Sequence, residues 1–271
     1  MKSILIIVQA RTGSSRFPKK ILSDILGKPV LLRQLERMSN ISTAANIVVA
    51  TSRQLEDNII ENICLKEGYK VYRGDLYNLL DRHYKAAKSF EAEIIVKIPS
   101  DCPLIDPRII DKVLNYYLMH SDKYDFVSNL HPASYPDGND VEVMSFKALE
   151  LTWHQAEKQH ELEHTTPYIW DNPDKFRIGN VEWNKGIDFS KSHRWTLDYP
   201  EDYQFIKSVF EELYHKNSCF SIDDILELLD KKPELKDINH RYAGEFWYNR
   251  YAFKQNSLNN PSPMNFQSNL I

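Results

Sequence analysis

The sequence predicts an α/β protein, doubly wound, with a mostly parallel sheet. Three observations predict it. The apolar runs SILIIV, NIVVAT and EIIVKI show no polar alternation, as expected of strands covered on both faces. Amphipathic segments of helical length separate them, long enough to serve as crossovers between parallel strands. A polar loop follows each run, and open α/β sheets place their ligands beyond the carboxyl ends of their strands.

The elements support this class in chain order. Residues 3–8 read as a buried strand. PVLLRQLERMSN has helical spacing, with Val30, Leu31, Leu35 and Met38 on one side. NIVVAT is the second strand, and QLEDNIIENICLKEG a helix closed by Gly68. KVYRG, YNLLDRHYKAAKSF and EIIVKIPSD continue as strand, helix and strand. DPRIIDKVLNYYLMH is a helix with Asp106 as its cap and Pro107 in its first turn. DFVSN is a further strand. Between 131 and 195 the rhythm breaks. SYPDGNDVEVMSF alternates like an edge strand, KALELTWHQAEKQHELEHTTPYIWDNP reads as one helix, and FRIGNVEW and HRWTLDY read as antiparallel strands. This segment is expected as a β-rich insertion within a single domain of residues 1–250. PEDYQFIKSVFEELY and SIDDILELLD return to helix, and KPELKDINHRY closes the domain. Residues 251–271, rich in Asn, Ser, Gln and Pro, are expected as a loose tail.

Composition narrows the function. A net charge of −4 argues against binding nucleic acid through bulk charge, so any polyanion site must be local. Cys64, Cys102 and Cys219 are far apart and form no CxxC pair, which excludes a disulfide framework or zinc knuckle. A reducing cytoplasm is the expectation. No apolar run approaches the roughly 20 residues of a membrane span, and ILIIV is too short for a signal peptide's apolar region.

The loop QARTGSSRFPKK carries the chemistry. It has neither the GxxxxGK[ST] of a P-loop nor the GxGxxG of a dinucleotide loop. Arg11 and Arg16 can each grip phosphate oxygens with a planar fork. Gly13 lets backbone amides turn towards an anion, and Lys20, behind Pro18, supplies a point charge. The alternative is a basic, solvated turn. In KIPSDCPLIDP, Asp106 takes the cap role and leaves Asp101 available at a strand end. A carboxylate opposite a phosphate loop suggests Mg²⁺. Asp198, in RWTLDYPEDY, follows another expected strand and could share that metal, while Asp202 suits the first turn of the next helix. Thr51 and Ser52, residues 73–75 and residues 100–106 are expected to converge with the loop on one sheet edge.

QARTGSSRFPKKIL, VYRGDLYNLLDRHYKAA, IPSDCPLIDP, YPDGNDVEV, EHTTPYI and RWTLDYPEDY together resemble the CMP-sugar synthetase group of nucleotidyltransferases. Within it, the chain up to about residue 210 is similar to the family of the spore coat polysaccharide biosynthesis protein SpsF. The resemblance implies a Rossmann-like (GT-A-like) nucleotidyltransferase fold, transfer of CMP from CTP to an acidic sugar, release of pyrophosphate, Mg²⁺ and a homodimer, in cell-surface polysaccharide synthesis. It implies that Arg11, Ser14, Arg16 and Lys20 hold the triphosphate, with Gln9, Ala10, Gly13, Ser15, Arg73, Arg82 and Ser100 also on the nucleotide. Lys20, Arg16 and Asp101 would be catalytic, and Asp101 and Asp198 would ligate the metal.

Tyr135, Asp140, Glu142, His164 and Arg194 lie in family motifs assigned to the acceptor. Arg194 or His193 would meet a sugar carboxylate. Asp140 and Glu142, two apart on one strand face, would meet hydroxyls or form a solvated acidic edge. The five tryptophans suit core or dimer contacts. Two departures fall in the acceptor and dimer segment: Leu162 where relatives often carry arginine, and Asn139 where many carry an apolar residue. Three alternatives stand beside this reading: a nucleotidyltransferase using another NTP, a GT-A glycosyltransferase using a finished nucleotide sugar, and a non-catalytic protein that kept the fold.

Overall fold

The computed structural model describes residues 2–183 and 186–245; the expected tail and Trp247 lie outside the described residues. The chain runs β1 (Ile4–Gln9), a short ribbon of β2 (Asp24–Ile25) and β3 (Lys28–Pro29), α1 (Val30–Met38), β4 (Asn46–Ser52), α2 (Asn58–Lys66), β5 (Lys70–Gly74), α3 (Leu79–Ser89), β6 (Ile94–Pro99) and α4 (Pro107–Met119). It continues through β7 (Phe126–Ser128), β8 (Glu142–Ser145), α5 (Phe146–Gln155), α6 (Gln159–His164), α7 (Pro167–Trp170), β9 (Ile178–Asn180), α8 (Pro200–Leu213), α9 (Ile222–Lys231) and α10 (Glu234–Asp237).

Seven strands make one sheet in the order β5–β4–β1–β6–β8–β7–β9. The first four are parallel, β8 is antiparallel to both β6 and β7, and β9 is parallel to β7. The unalternating apolar runs are explained by helices on both faces. Ile6 and Val8 of β1 join a core with Leu31 and Leu35 of α1, Ile110 and Val113 of α4, and Phe205 and Val209 of α8. Leu5 and Ile7, on the other face by the twofold strand period, join Tyr84 and Ala87 of α3 and Leu149 of α5.

The segment 131–195 differs from expectation. Its motif YPDGNDVEV is no edge strand: only Glu142–Ser145 is strand, and it sits inside the sheet. Together with β9 it makes the segment part of the central sheet, so the β-rich insertion is limited to these two short strands. The residues before β8 are held as a loop. Asn129 Nδ2 donates to Asn139 O, while Asn129 Oδ1 accepts from the Val141 amide. The single long helix is three pieces, interrupted where Ala156 turns extended and where Pro167 starts α7. HRWTLDY forms no strand either. It lies across the sheet end, pinned by a bridge between Asp137 and Arg194 and by the Leu197 amide on Asp101 O at 2.8 Å.

Asp106 ties distant parts together. It caps α4 through the Arg108 amide and also accepts the Ile222 amide at the start of α9. Burial works against its charge, but hydrogen bonds from Arg108 and from those amides hold its carboxyl below the ordinary value. That stabilisation is present above pH about 3.9 and is lost as pH falls through the lower folded value. Asp106→Ala removes two caps, and at about 1 kcal/mol each the expected loss at pH 7 is about 2 kcal/mol. Urea unfolding of both chains measures it; equal midpoints would refute the double-cap account.

Candidate active site

A cavity of about 600 Å³ opens beyond the carboxyl ends of β1 and β6, where the antiparallel β8 begins. The loop after β1 forms its first wall. The Lys19 amide donates to Thr12 O at 3.0 Å and closes the loop on itself. Lys19 takes a left-handed conformation, φ 57°, immediately before the turn that starts with Lys20. The base of the loop is tied down by Asp57, whose Oδ1 accepts the Thr12 amide and hydroxyl at 2.8 and 2.7 Å, while its Oδ2 accepts from Ser52. Burial opposes ionisation of Asp57, but these donors hold its carboxyl below the usual range.

Lys20, Arg16, Asp101 and Asp198 meet at one point. Lys20 Nζ donates to Asp198 Oδ1 at 2.9 Å, Asp101 Oδ2 at 3.4 Å and Leu197 O at 2.5 Å. Arg16 Nη2 is 2.5 Å from Asp198 Oδ1, and its guanidinium lies over the Tyr199 ring. Burial disfavours the Lys20 charge, yet Asp101 and Asp198 raise its proton affinity above the ordinary value. Burial likewise opposes ionisation of Asp198, but Lys20 and Arg16 hold its carboxyl well below the ordinary range. A cation, the Lys20 ammonium, already sits between two carboxylates. Such hard oxygen donors beside an anion loop fit Mg²⁺.

Gln9, Ala10, Arg11, Gly13, Ser14, Ser15, Arg82 and Ser100 also line the cavity. The Arg11 guanidinium makes no hydrogen bond or ion pair among the described residues. Arg82 is buried and gives Nη1 to Asp75 O at 2.9 Å, while its Nε has no partner among the described residues. Burial and the nearby Arg11 bring its pKa to about 10. Gln9 Oε1 is also buried without a described partner. Buried polar atoms are normally hydrogen-bonded, so these two are available to a guest.

Arg73 corrects an expectation. It is committed elsewhere, with Nε on Ser52 O, Nη1 on Asn58 and Glu61, and Nη2 on Gln54 O. Its strand, β5, is two places from β1 in the sheet. Thr51, Ser52 and Asp75 stay away from the cavity too, so convergence is confined to the ends of β1 and β6 and the chain laid across them.

Tyr135, Asp140, Glu142 and His164 line the remaining wall. Glu142 pairs with Lys97, its register neighbour on β6, and keeps a buried Oε1 without a described partner. Asp140 precedes the strand, so the shared strand face expected for Asp140 and Glu142 does not form. Burial, with Asp101 and Glu142 adding, pushes the Asp140 carboxyl up to about 7. Burial and Lys97 bring His164 down to about 3, so its ring is neutral at pH 7. Tyr135 OH donates to Glu182 O and accepts from Lys112.

Arg194 is a second correction: it does not line the cavity. Its side chain is 1% exposed, with Nε on Asp202 Oδ1 at 2.9 Å and Nη2 on Asp202 Oδ2 at 3.1 Å. The departures have local explanations. Asn139 is buried, accepting the Asp106 amide and donating to Pro136 O. Leu162 packs against the second core. Sequence reasoning passed over Lys97, Asp57 and Asp137. Lys97 had a legible signal: a lysine inside an apolar strand requires a counter-charge.

A mostly parallel sheet with a basic loop after β1, a carboxylate at the end of β6 and a second carboxylate brought beside it by the chain before α8 defines a nucleotidyltransferase-type α/β domain. The cytidylyltransferase family model matches residues 5–234, and the chain belongs to that family. It is 28% identical to the spore coat polysaccharide biosynthesis protein SpsF of Bacillus subtilis over 239 residues, 86% of this chain and 97% of that one. It is 34% identical to the 3-deoxy-manno-octulosonate cytidylyltransferase of Trichlorobacter lovleyi over 116 residues, 42% of this chain and 45% of that one. The structure of a cytidylyltransferase from Leptospira borgpetersenii superimposes with a TM-score of 0.81 at 32% identity, covering 87% of this chain and 97% of that one. The fold is thus that of α/β nucleotidyltransferases, and the chain is an enzyme of that class.

Proposed function

We propose that the cavity transfers CMP from CTP to a hydroxyl of an acidic sugar, with release of pyrophosphate, for cell-surface polysaccharide synthesis. The observation that carries this reading is the convergence of Lys20 and Arg16 on Asp101 and Asp198 beyond β1 and β6. The acidic class of acceptor rests on the sequence resemblance and on the octulosonate named for a partial relative. Arg11, Arg16 and Lys20 grip the triphosphate oxygens, and Arg82 and Gln9 offer their unpartnered atoms to the nucleotide. Asp101 and Asp198 would hold Mg²⁺, which supplies charge neutralisation at the α-phosphate.

The acceptor oxygen bonds to the α-phosphorus as the bond from that phosphorus to the bridging oxygen breaks. Lys20 and Arg16 stabilise the charge that leaves with pyrophosphate. Asp140, which lines the cavity, would take the acceptor's proton on its carboxylate. With Arg194 withdrawn into the interior, Lys97 is a cation on the acceptor wall, and a sugar carboxylate there would share it with Glu142. On the same resemblance we read the protein as a cytoplasmic homodimer, for which sedimentation is the test.

Calorimetry with CTP, UTP, GTP and ATP, with and without Mg²⁺, tests the nucleotide half; a pyrophosphate assay over acidic sugars then tests the acceptor. CTP is expected to bind best, with the metal, and Asp101→Ala to abolish the metal dependence. Tightest binding of another triphosphate would reassign the base, and no triphosphate binding would sink the reading.

A further inference from the structure

The matched family region ends at residue 234, yet the chain beyond it returns to the site. Asn239 is 2% exposed, and its Nδ2 donates to Arg194 O at 2.8 Å and Asp202 Oδ1 at 2.9 Å. Arg194 Nη1 donates to the backbone carbonyls of Tyr242 and Glu245 at 3.3 and 3.4 Å. The Tyr242 ring stacks on Tyr199 with centroids 3.9 Å apart and planes 9° from parallel. Glu245 lines the cavity and accepts from Tyr199 OH at 3.4 Å.

The residues this arm grips are the ones that fix Asp198. Asp202 Oδ2 accepts the amides of Asp198 and Tyr199, each at 2.9 Å. Arg194 Nη2 lies 3.5 Å from Asp198 Oδ2. A loosely attached extension would not bury an asparagine between a carboxylate and a carbonyl, because each such bond must repay the entropy of ordering the chain. The Tyr199–Tyr242 stack also closes over the guanidinium of Arg194, whose centre is 5.7 and 5.8 Å from the two rings.

We infer that residues 239–245 are a working part of the site, with Asn239 and Tyr242 acting as positioning residues that set Asp198, through Arg194 and Asp202, for a metal-bound triphosphate. This inference rests on the reading of the cavity as a Mg²⁺·CTP site. Residues that orient a metal ligand from outside the coordination shell are typically worth about 10- to 100-fold in metal affinity or activity.

The test uses the full chain carrying Asn239→Ala, Tyr242→Ala or Tyr242→Phe, with calorimetry of CTP in Mg²⁺ and in EDTA and a thermal melt of each variant. The two alanine variants are expected to weaken CTP binding in Mg²⁺ by about 10- to 100-fold and to change the EDTA value much less. Tyr242→Phe keeps the stack and is expected to bind like the unaltered chain. If Tyr242→Ala does not fold, Tyr242→Leu, which keeps apolar cover but not the stack, carries the test. Folded alanine variants that bind Mg²⁺·CTP like the unaltered chain would overturn the inference alone. Equal weakening with and without Mg²⁺ would overturn it too, by reducing the arm to general support. An unaltered chain that binds no triphosphate would overturn the functional reading beneath it.

Discussion

Lys20→Ala is expected to lower cytidylyl transfer by about 10²–10³-fold, the loss typical when one preorganised charge contact to a transition state is removed. The geometry makes the effect specific. Lys20 Nζ is held by two carboxylates and a carbonyl, so the ammonium is kept beside the carboxylates that would take the metal. The variant also leaves Asp198 with Arg16 and Arg194 and strips Asp101 of its lysine. CTP affinity should therefore fall along with turnover. Single-turnover pyrophosphate release separates the two, since a saturating CTP concentration restores binding but not the chemical step. Near-native turnover at saturation would remove Lys20 from the catalytic assignment.

Gly138→Ala is expected to cost about 3–5 kcal/mol of stability, at the top of the range for point substitutions. Two independent penalties act there. Gly138 has φ +105°, a region that side-chain-bearing residues rarely occupy. A Cβ built on it would also lie 2.6 Å from the backbone carbon of Trp195 and 2.7 Å from the Thr196 nitrogen, neither of which can swing aside as a flexible side chain would. The close approach is what lets Asp137 bridge Arg194 and brings the chain before Asp198 onto the sheet end. A urea melt reads the loss directly. A variant within about 1 kcal/mol of the unaltered chain would show that this approach is adjustable.

How much of this was legible depends on how locally each feature is determined. The loop that carries Lys20 starts directly after β1, and Asp101 lies just past the end of β6; strand ends in a parallel sheet share one edge, so their meeting could be read along the chain. The same rule misplaced Arg73. It lies near the carboxyl end of a strand, but β5 is the sheet's margin, and Glu61 and Asn58 on the neighbouring helix take its guanidinium first. Asp198 was found for a partly mistaken reason, because no strand precedes it and backbone bonds to Asp101 and Asp137 place it instead. Arg194 looks like any arginine near an acidic motif. Only the tertiary structure shows Asp202 and Asn239 enclosing it. The position of β8 was hidden for a similar reason, since its partner on β6 lies 45 residues earlier and alternation alone cannot tell an edge from the interior.

The pairing of Lys20 and Arg16 with Asp101 and Asp198 has a bearing on selectivity. With these two cations engaged by two carboxylates, this part of the pocket is close to self-neutralised. A bare phosphate or sulfate ion that draws Lys20 away leaves Asp101 without its lysine beside Asp198, and the repulsion between the two carboxylates opposes its capture. An anion arriving with a divalent companion leaves those carboxylates a replacement partner. At Lys20 and Arg16 the resting structure thus disfavours unaccompanied anions, leaving Arg11 as the cavity-lining loop cation that meets a bare ion without breaking an ion pair among the described residues.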